Sequence, residues 1–443
     1  MPPPPTRFAC SGRTSFEANA SVKSPDVEGF PGELSRQTRR FRPSPWRKPE
    51  ATLTPVSQVR VGSGFSTDLD AARATIEAAT DAIAGFGDEH PDLVFVFFSN
   101  DHRESAEEVS TALRERFPLA AVIGAAAEGI VAGPHELEAG PAVSVLAAVL
   151  PDTAVIPFAL DFVEAGDGVA EYHGWPDGLS PEATVVMMCD PFSFPAGHLL
   201  QKMNYDAPGM LVIGGVASGV HGEGEARLLL NEQVRTAGAV CAGISGRVRV
   251  QPLVSQGCRP IGGPATITRA DRNMIFELAG GRPVERINEI WTNASPRERA
   301  LMQNGLFLGR VADEYKTEFA AGDFVIRNVV GADAETGVVA VGDVVGVGET
   351  VQFHVRDPDA ADEALHDSLV NLDVTPVGAL LFTCNGRGTN MFSERDHDAS
   401  MVSKVLGAPL AGFFANGELG PIGSRNFWHS FTASLALFVD TAR

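Results

Sequence analysis

The chain has little that would bind or cross anything in a standard way. Its five cysteines, at 10, 189, 241, 258 and 384, form no C-x-x-C pair. An odd, scattered set fits reduced thiols, and gives neither a disulfide framework nor a zinc site. No apolar leader opens the sequence. The longest weakly charged apolar stretch, residues 141–160, holds three prolines and Asp152, and reads as strand–turn–strand rather than a membrane span. There is no G-x-x-x-x-G-K-[ST] phosphate loop and no G-x-S-x-G elbow, and no kinase signature set is present. The run from Gly214 to Gly219 follows a strand without forming G-x-G-x-x-G. Those absences remove the usual nucleotide, dinucleotide, serine-hydrolase and kinase readings.

Positive charge is also scarce. The net charge is −21, and residues 1–49 hold nine Lys/Arg against four Asp/Glu, so the remainder carries −26. Such a body repels phosphate backbones, which argues against nucleic-acid binding and suits a soluble cytoplasmic protein. Residues 1–50 contain nine of the 30 prolines and show no helical or strand period. They read as a disordered extension outside the fold.

What is present is apolar patterning that repeats. Residues 93–98, 184–189 and 379–383 are buried-strand runs, each followed by a helical stretch and a second strand run ending in glycine. The second runs read V-I-G-A-A-A-E-G, V-I-G-G-V-A-S-G and L-A-G-F-F-A-N-G. From Ser99 to Gly124, Asp190 to Gly214 and Asn385 to Gly412 the spacing is 25, 24 and 27 residues. A returning strand follows at 142–150, 239–244 and 431–439. This predicts an α+β (mixed α/β) fold of repeated β-α-β-β modules forming mixed sheets. The chain divides into two closely associated halves, 51–260 and 261–443. Short strands at 324–328, 337–341 and 351–355 fill the second half ahead of its module.

The third copy carries the chemistry. Its first strand ends in Cys384-Asn385-Gly386-Arg387-Gly388, and its second in Asn416-Gly417-Glu418-Leu419-Gly420-Pro421. Residues 392–406 are long enough for the crossover helix, which makes the two strands parallel and puts both loops at one sheet edge. Arg387 and Glu418 are then expected to face a common crevice. A guanidinium between glycines suits a carboxylate, and Glu418 suits an ammonium, so the pair would read both ends of an amino acid. The other reading is a structural arginine paired across the loops. Asn416 could orient a ligand or only make a turn, and Asn385 lies in the first loop. Cys384, beside Gly-rich backbone and an arginine, could form a thiolate served by His397 or His429, or be an inert buried thiol. His429 could touch ligand or be a satisfied edge residue. Asp396, His397 and Asp398 resemble a metal cluster, but neighbours on a helix do not converge, so no metal and no cofactor are expected.

The C-x-G-R-G stretch, the later G-F with N-G-E-x-G-P, and Gly348–Asp357 resemble the FIST domain family across roughly residues 54–438. That resemblance implies FIST N-terminal and C-terminal domains in an intracellular small-ligand sensor, with amino acids as the suggested ligands. Together with the loop residues, this gives noncatalytic binding at Arg387, Glu418, Asn416, Cys384, Asn385 and His429 as the expectation, and the resemblance implies output through a signalling partner or a homo-oligomer. The alternatives are an enzyme with Cys384 as nucleophile and a protein-interaction adaptor.

Overall fold

The computed structural model describes residues 58–164 and 170–442. The extension expected at 1–50 lies outside them.

The three repeats are real structural modules. Module 1 has strands Leu93–Ser99, Ala121–Ala127 and Val143–Val149 and helix Ala106–Arg116. Module 2 has strands Thr184–Cys189, Val212–Val216 and Ala239–Gly246 and helix Ala196–Asp206. Module 3 has strands Gly378–Cys384, Leu410–Ala415 and Thr432–Asp440 and helix His397–Leu406. In each, the first two strands are parallel and the third returns antiparallel to the first. A further strand lies on each third strand: Arg60–Ser66, Thr153–Glu164 and Val248–Gln256.

The sequence gives no hint of what joins the modules. After its second strand each module extends a hairpin that pairs with the second strand of a different module. The hairpin of module 1, Ile130–Ala132 with His135–Leu137, joins module 3. That of module 2, Leu228–Leu230 with Gln233–Arg235, joins module 1. That of module 3, Glu418–Ile422 with Arg425–His429, joins module 2. The exchange is cyclic, so no module completes its sheet alone. Ser218 of module 2 adds a tie at the strand ends. Fully buried, it accepts from Glu128 N at 2.9 Å and donates to Phe414 O.

The three sheets turn one face toward a shared core. There Phe97, Phe382 and Phe413 meet with centroids 5.4–6.3 Å apart, among Val186, Met188, Ile213 and Ala436. Helices cover the outer faces, Ala71–Ala82 and Ala106–Arg116 on module 1 among them. Burial on both faces explains why the strand runs are continuously apolar. The repeated glycine has a packing cause. A Cβ on Gly124, Gly214 or Gly412 would stand 2.2, 1.8 or 1.9 Å from the carbonyl oxygen of Val96, Met187 or Leu381 on the parallel neighbour.

Residues 258–356 form a closed six-stranded barrel between Val248–Gln256 and module 3, with helices Pro283–Asn293 and Pro296–Gln303 against it. The short strands read from sequence belong to this barrel, whose closure through Cys258–Asp271 and Thr350–Arg356 is a long-range pairing.

Candidate functional site

The two module 3 loops do start together, since Cys384 and Ala415 are cross-strand partners. The expected open crevice between Arg387 and Glu418 is nevertheless absent, because both side chains are fully buried at 0% exposure. Asp398 takes the guanidinium. Arg387 Nε and Nη2 donate to Asp398 Oδ2 and Oδ1 at 2.6 and 2.8 Å, and Nη1 donates to Phe431 O at 3.3 Å. The Phe392 ring lies 5.2 Å from its Cζ. Thr383 Oγ1 donates to Asp398 at 2.7 Å, and His397 bridges Asp398 and Asp362 at 2.9 and 3.0 Å. Burial alone would neutralise the pair. Instead Arg387 holds the Asp398 carboxyl far below the usual carboxylate range, and Asp398 raises Arg387, so both stay charged. The glycines around Arg387 serve packing. A Cβ on Gly386 would stand 2.8 Å from the Phe431 ring, and one on Gly388 2.7 Å from Phe414.

Glu418 opens a strand rather than sitting in a turn. Its Oε2 accepts from Thr432 N and Oγ1 at 3.0 and 2.7 Å, and burial pushes its carboxyl up to about 8. His429 faces it across the hairpin and is 1% exposed. Its Nε2 donates to Gly420 O at 3.0 Å, and burial lowers it to about 4, so it is neutral at pH 7. Cys384 is buried. Burial, then the Glu418 charge, push its thiol far above the ordinary range, against any thiolate. Iodoacetamide at pH 7.5 should therefore alkylate the Cys384 peptide of the native protein far more slowly than that of the unfolded chain. Equal rates, read by mass spectrometry, would contradict this burial. Of the six candidates only Asn385, half-buried, and Asn416, exposed, reach the surface.

An opening lies elsewhere, where the barrel meets the module 3 hairpin and helix Ala196–Asp206. This cleft has a volume of about 570 Å³ and is lined by His198, Arg310, Arg327, Asp343 and Trp428 among others. Arg310 and Arg327 end apolar runs on neighbouring barrel strands. Asp343 Oδ2 accepts from Arg310 Nη1 and Arg327 Nε, each at 2.7 Å. Glu349 takes the rest of the Arg310 fork at 3.0 and 2.9 Å. Arg327 Nη1 donates to Ile326 O and Trp428 O at 2.9 and 3.0 Å. Its Nη2 has no partner among the described residues. The sequence reading missed this site, although a charge closing the runs F-L-G-R and F-V-I-R was a usable signal.

The fold therefore defines a three-module α/β body carrying an inserted barrel. The chain matches the FIST N domain over residues 92–281 and the FIST C domain over 284–421, and it belongs to the FIST family. FIST domains are associated with small-ligand sensing. Uncharacterized protein Rv0628c of Mycobacterium tuberculosis is 44% identical over 387 residues, covering 86% of this chain and all of that one. Uncharacterized protein Mb0898c of Mycobacterium bovis is 45% identical over 388 residues, covering 86% and 99%. Among solved structures, a cyanuric acid hydrolase is similar with a TM-score of 0.28 and 11% identity, over 86% of this chain and 100% of that one. The enzyme from A. caulinodans gives 0.29 and 9%, over 87% and 100%. Likeness at that level carries nothing about chemistry here.

Proposed function

We propose that the protein is a noncatalytic, cytoplasmic sensor of a small polar metabolite, an amino acid being the class to test first, and that the ligand enters the cleft between barrel and hairpin. One observation carries the reading: Arg327 lines a hollow of about 570 Å³ with its Nη2 donor unused. That volume lies within the range of about 300–1,000 Å³ common to small-molecule sites. The unused donor suits a ligand carboxylate, Asp343 suits its ammonium, and Phe427 and Trp428 supply apolar wall. Arg387, Glu418, Cys384 and His429 then support the fold behind the site instead of touching ligand. The signal leaves through a partner protein or a second copy of the chain.

The test is a thermal-shift panel of α-amino acids, succinate and inorganic phosphate on the parent and on Arg327→Ala. A ligand at 100 times its Kd adds about 2.7 kcal/mol. At least one amino acid should raise the parent's Tm and fail to raise that of Arg327→Ala. No shift across the amino acids removes that class, and an equal shift in Arg327→Ala removes this cleft.

A further inference from the structure

The module 1 hairpin does more than lengthen the sheet of module 3. Glu136, 6% exposed, places Oε1 3.0 Å from both Asp398 N and Ala399 N, at the head of helix His397–Leu406. Its own N–H donates to Asp396 Oδ1 at 2.6 Å, and His135 Nδ1 lies 3.6 Å from Asp396 Oδ2. The Glu138 carboxylate accepts from Thr389 N at 3.0 and 3.2 Å and from Thr389 Oγ1 at 2.6 Å. Three residues of one module thus grip the segment of another that bears Arg387 and Asp398. Glu136 Oε2 has no partner among the described residues.

We propose that this hairpin is a latch over the Arg387 loop and the helix head, closed while Glu136 is protonated and loosened when it is not. The groups facing Glu136 oppose one another. Asp398 and Glu138, with Asp396 at its backbone, are anionic. His397 and the two helix N–H groups favour a carboxylate, while Arg387 is already spent on Asp398. Burial is the largest influence, and with Asp398 and Glu138 it moves the Glu136 carboxyl from 4.5 up to about 7, against the pull of Ala399 N–H and His397. A released hairpin returns Glu136 to water and to its ordinary value. Closing therefore takes up a proton: it is strongest below 4.5 and weakens as pH rises through 7. Between pH 6 and pH 8.5 the closing equilibrium should fall about tenfold.

Hydrogen exchange on the full chain reads this directly, as protection factors for residues 387–401 corrected for the pH dependence of the chemical step. The parent should lose about tenfold in protection from pH 6 to pH 8.5, with strand Leu93–Ser99 unchanged. His397 also holds its proton to higher pH than usual, because its bonds to Asp398 outweigh its burial, and its titration would act in the same direction. Glu136→Gln separates the two: the step should vanish in this variant and persist in Glu138→Gln. A flat parent profile overturns the latch without need of any variant, and an unchanged step in Glu136→Gln overturns it in favour of His397.

Discussion

Arg387→Ala should cost about 3–5 kcal/mol of stability at pH 7, the range for breaking one side of a buried ion pair. Asp398 would be left as a buried charge with only Thr383, His397 and the latch around it, and one of the largest buried side chains of the protein would leave a void. The double variant Arg387→Met/Asp398→Leu should recover most of the loss, because two apolar groups of similar size leave no charge to desolvate. Denaturant unfolding of the three proteins checks both statements. A loss below about 1 kcal/mol for the single variant, the value of an exposed pair, would mean that Arg387 is not sealed as described.

Gly412→Ala is expected to be at least as severe, above about 4 kcal/mol, the tail that only defined mechanisms reach. The added methyl would stand 1.9 Å from Leu381 O and 2.8 Å from Leu381 C. These are backbone atoms of a paired strand and cannot rotate aside. Gly85→Ala is the control, since nothing lies within 4 Å of its Cβ position. Soluble yield and melting temperature decide the comparison. If Gly412→Ala melts like the control, the spacing of strands Gly378–Cys384 and Leu410–Ala415 is wrong.

The modules were legible because each rests on local pattern: an apolar run, a helical stretch, a second run and a glycine at near-constant spacing. The hairpin exchange was not, since the pairing of Ile130–Ala132 with Leu410–Ala415 joins residues some 280 apart and leaves no period to read. Barrel closure failed to show for the same reason. Arg387 stands out in the sequence, but its glycine neighbours leave its role open between ligand contact and structure. Glycines admit a close ligand or a close side chain equally well, and Phe431 and Phe414 occupy the room at Gly386 and Gly388. Its partner Asp398 was visible beside His397, but a helical reading of 392–406 hid that residues 392–396 are irregular and turn Asp398 inward at the helix head. Arg310, Arg327 and Asp343 lie in no motif, and only the barrel brings them together.

The account's central claim is that ligand is read at the barrel seam, with the buried polar groups of module 3 behind it. Calorimetric titration of the amino acid giving the largest thermal shift tests this on the parent, Arg327→Ala and Glu418→Gln. A bond to a charged group is worth about 1.5–3 kcal/mol, so Arg327→Ala should weaken binding by roughly ten- to a hundredfold. Glu418→Gln, which replaces a carboxyl already neutral at pH 7, should bind as the parent does. Parent-like affinity in Arg327→Ala with binding lost in Glu418→Gln would contradict the account and return the site to the interior of module 3.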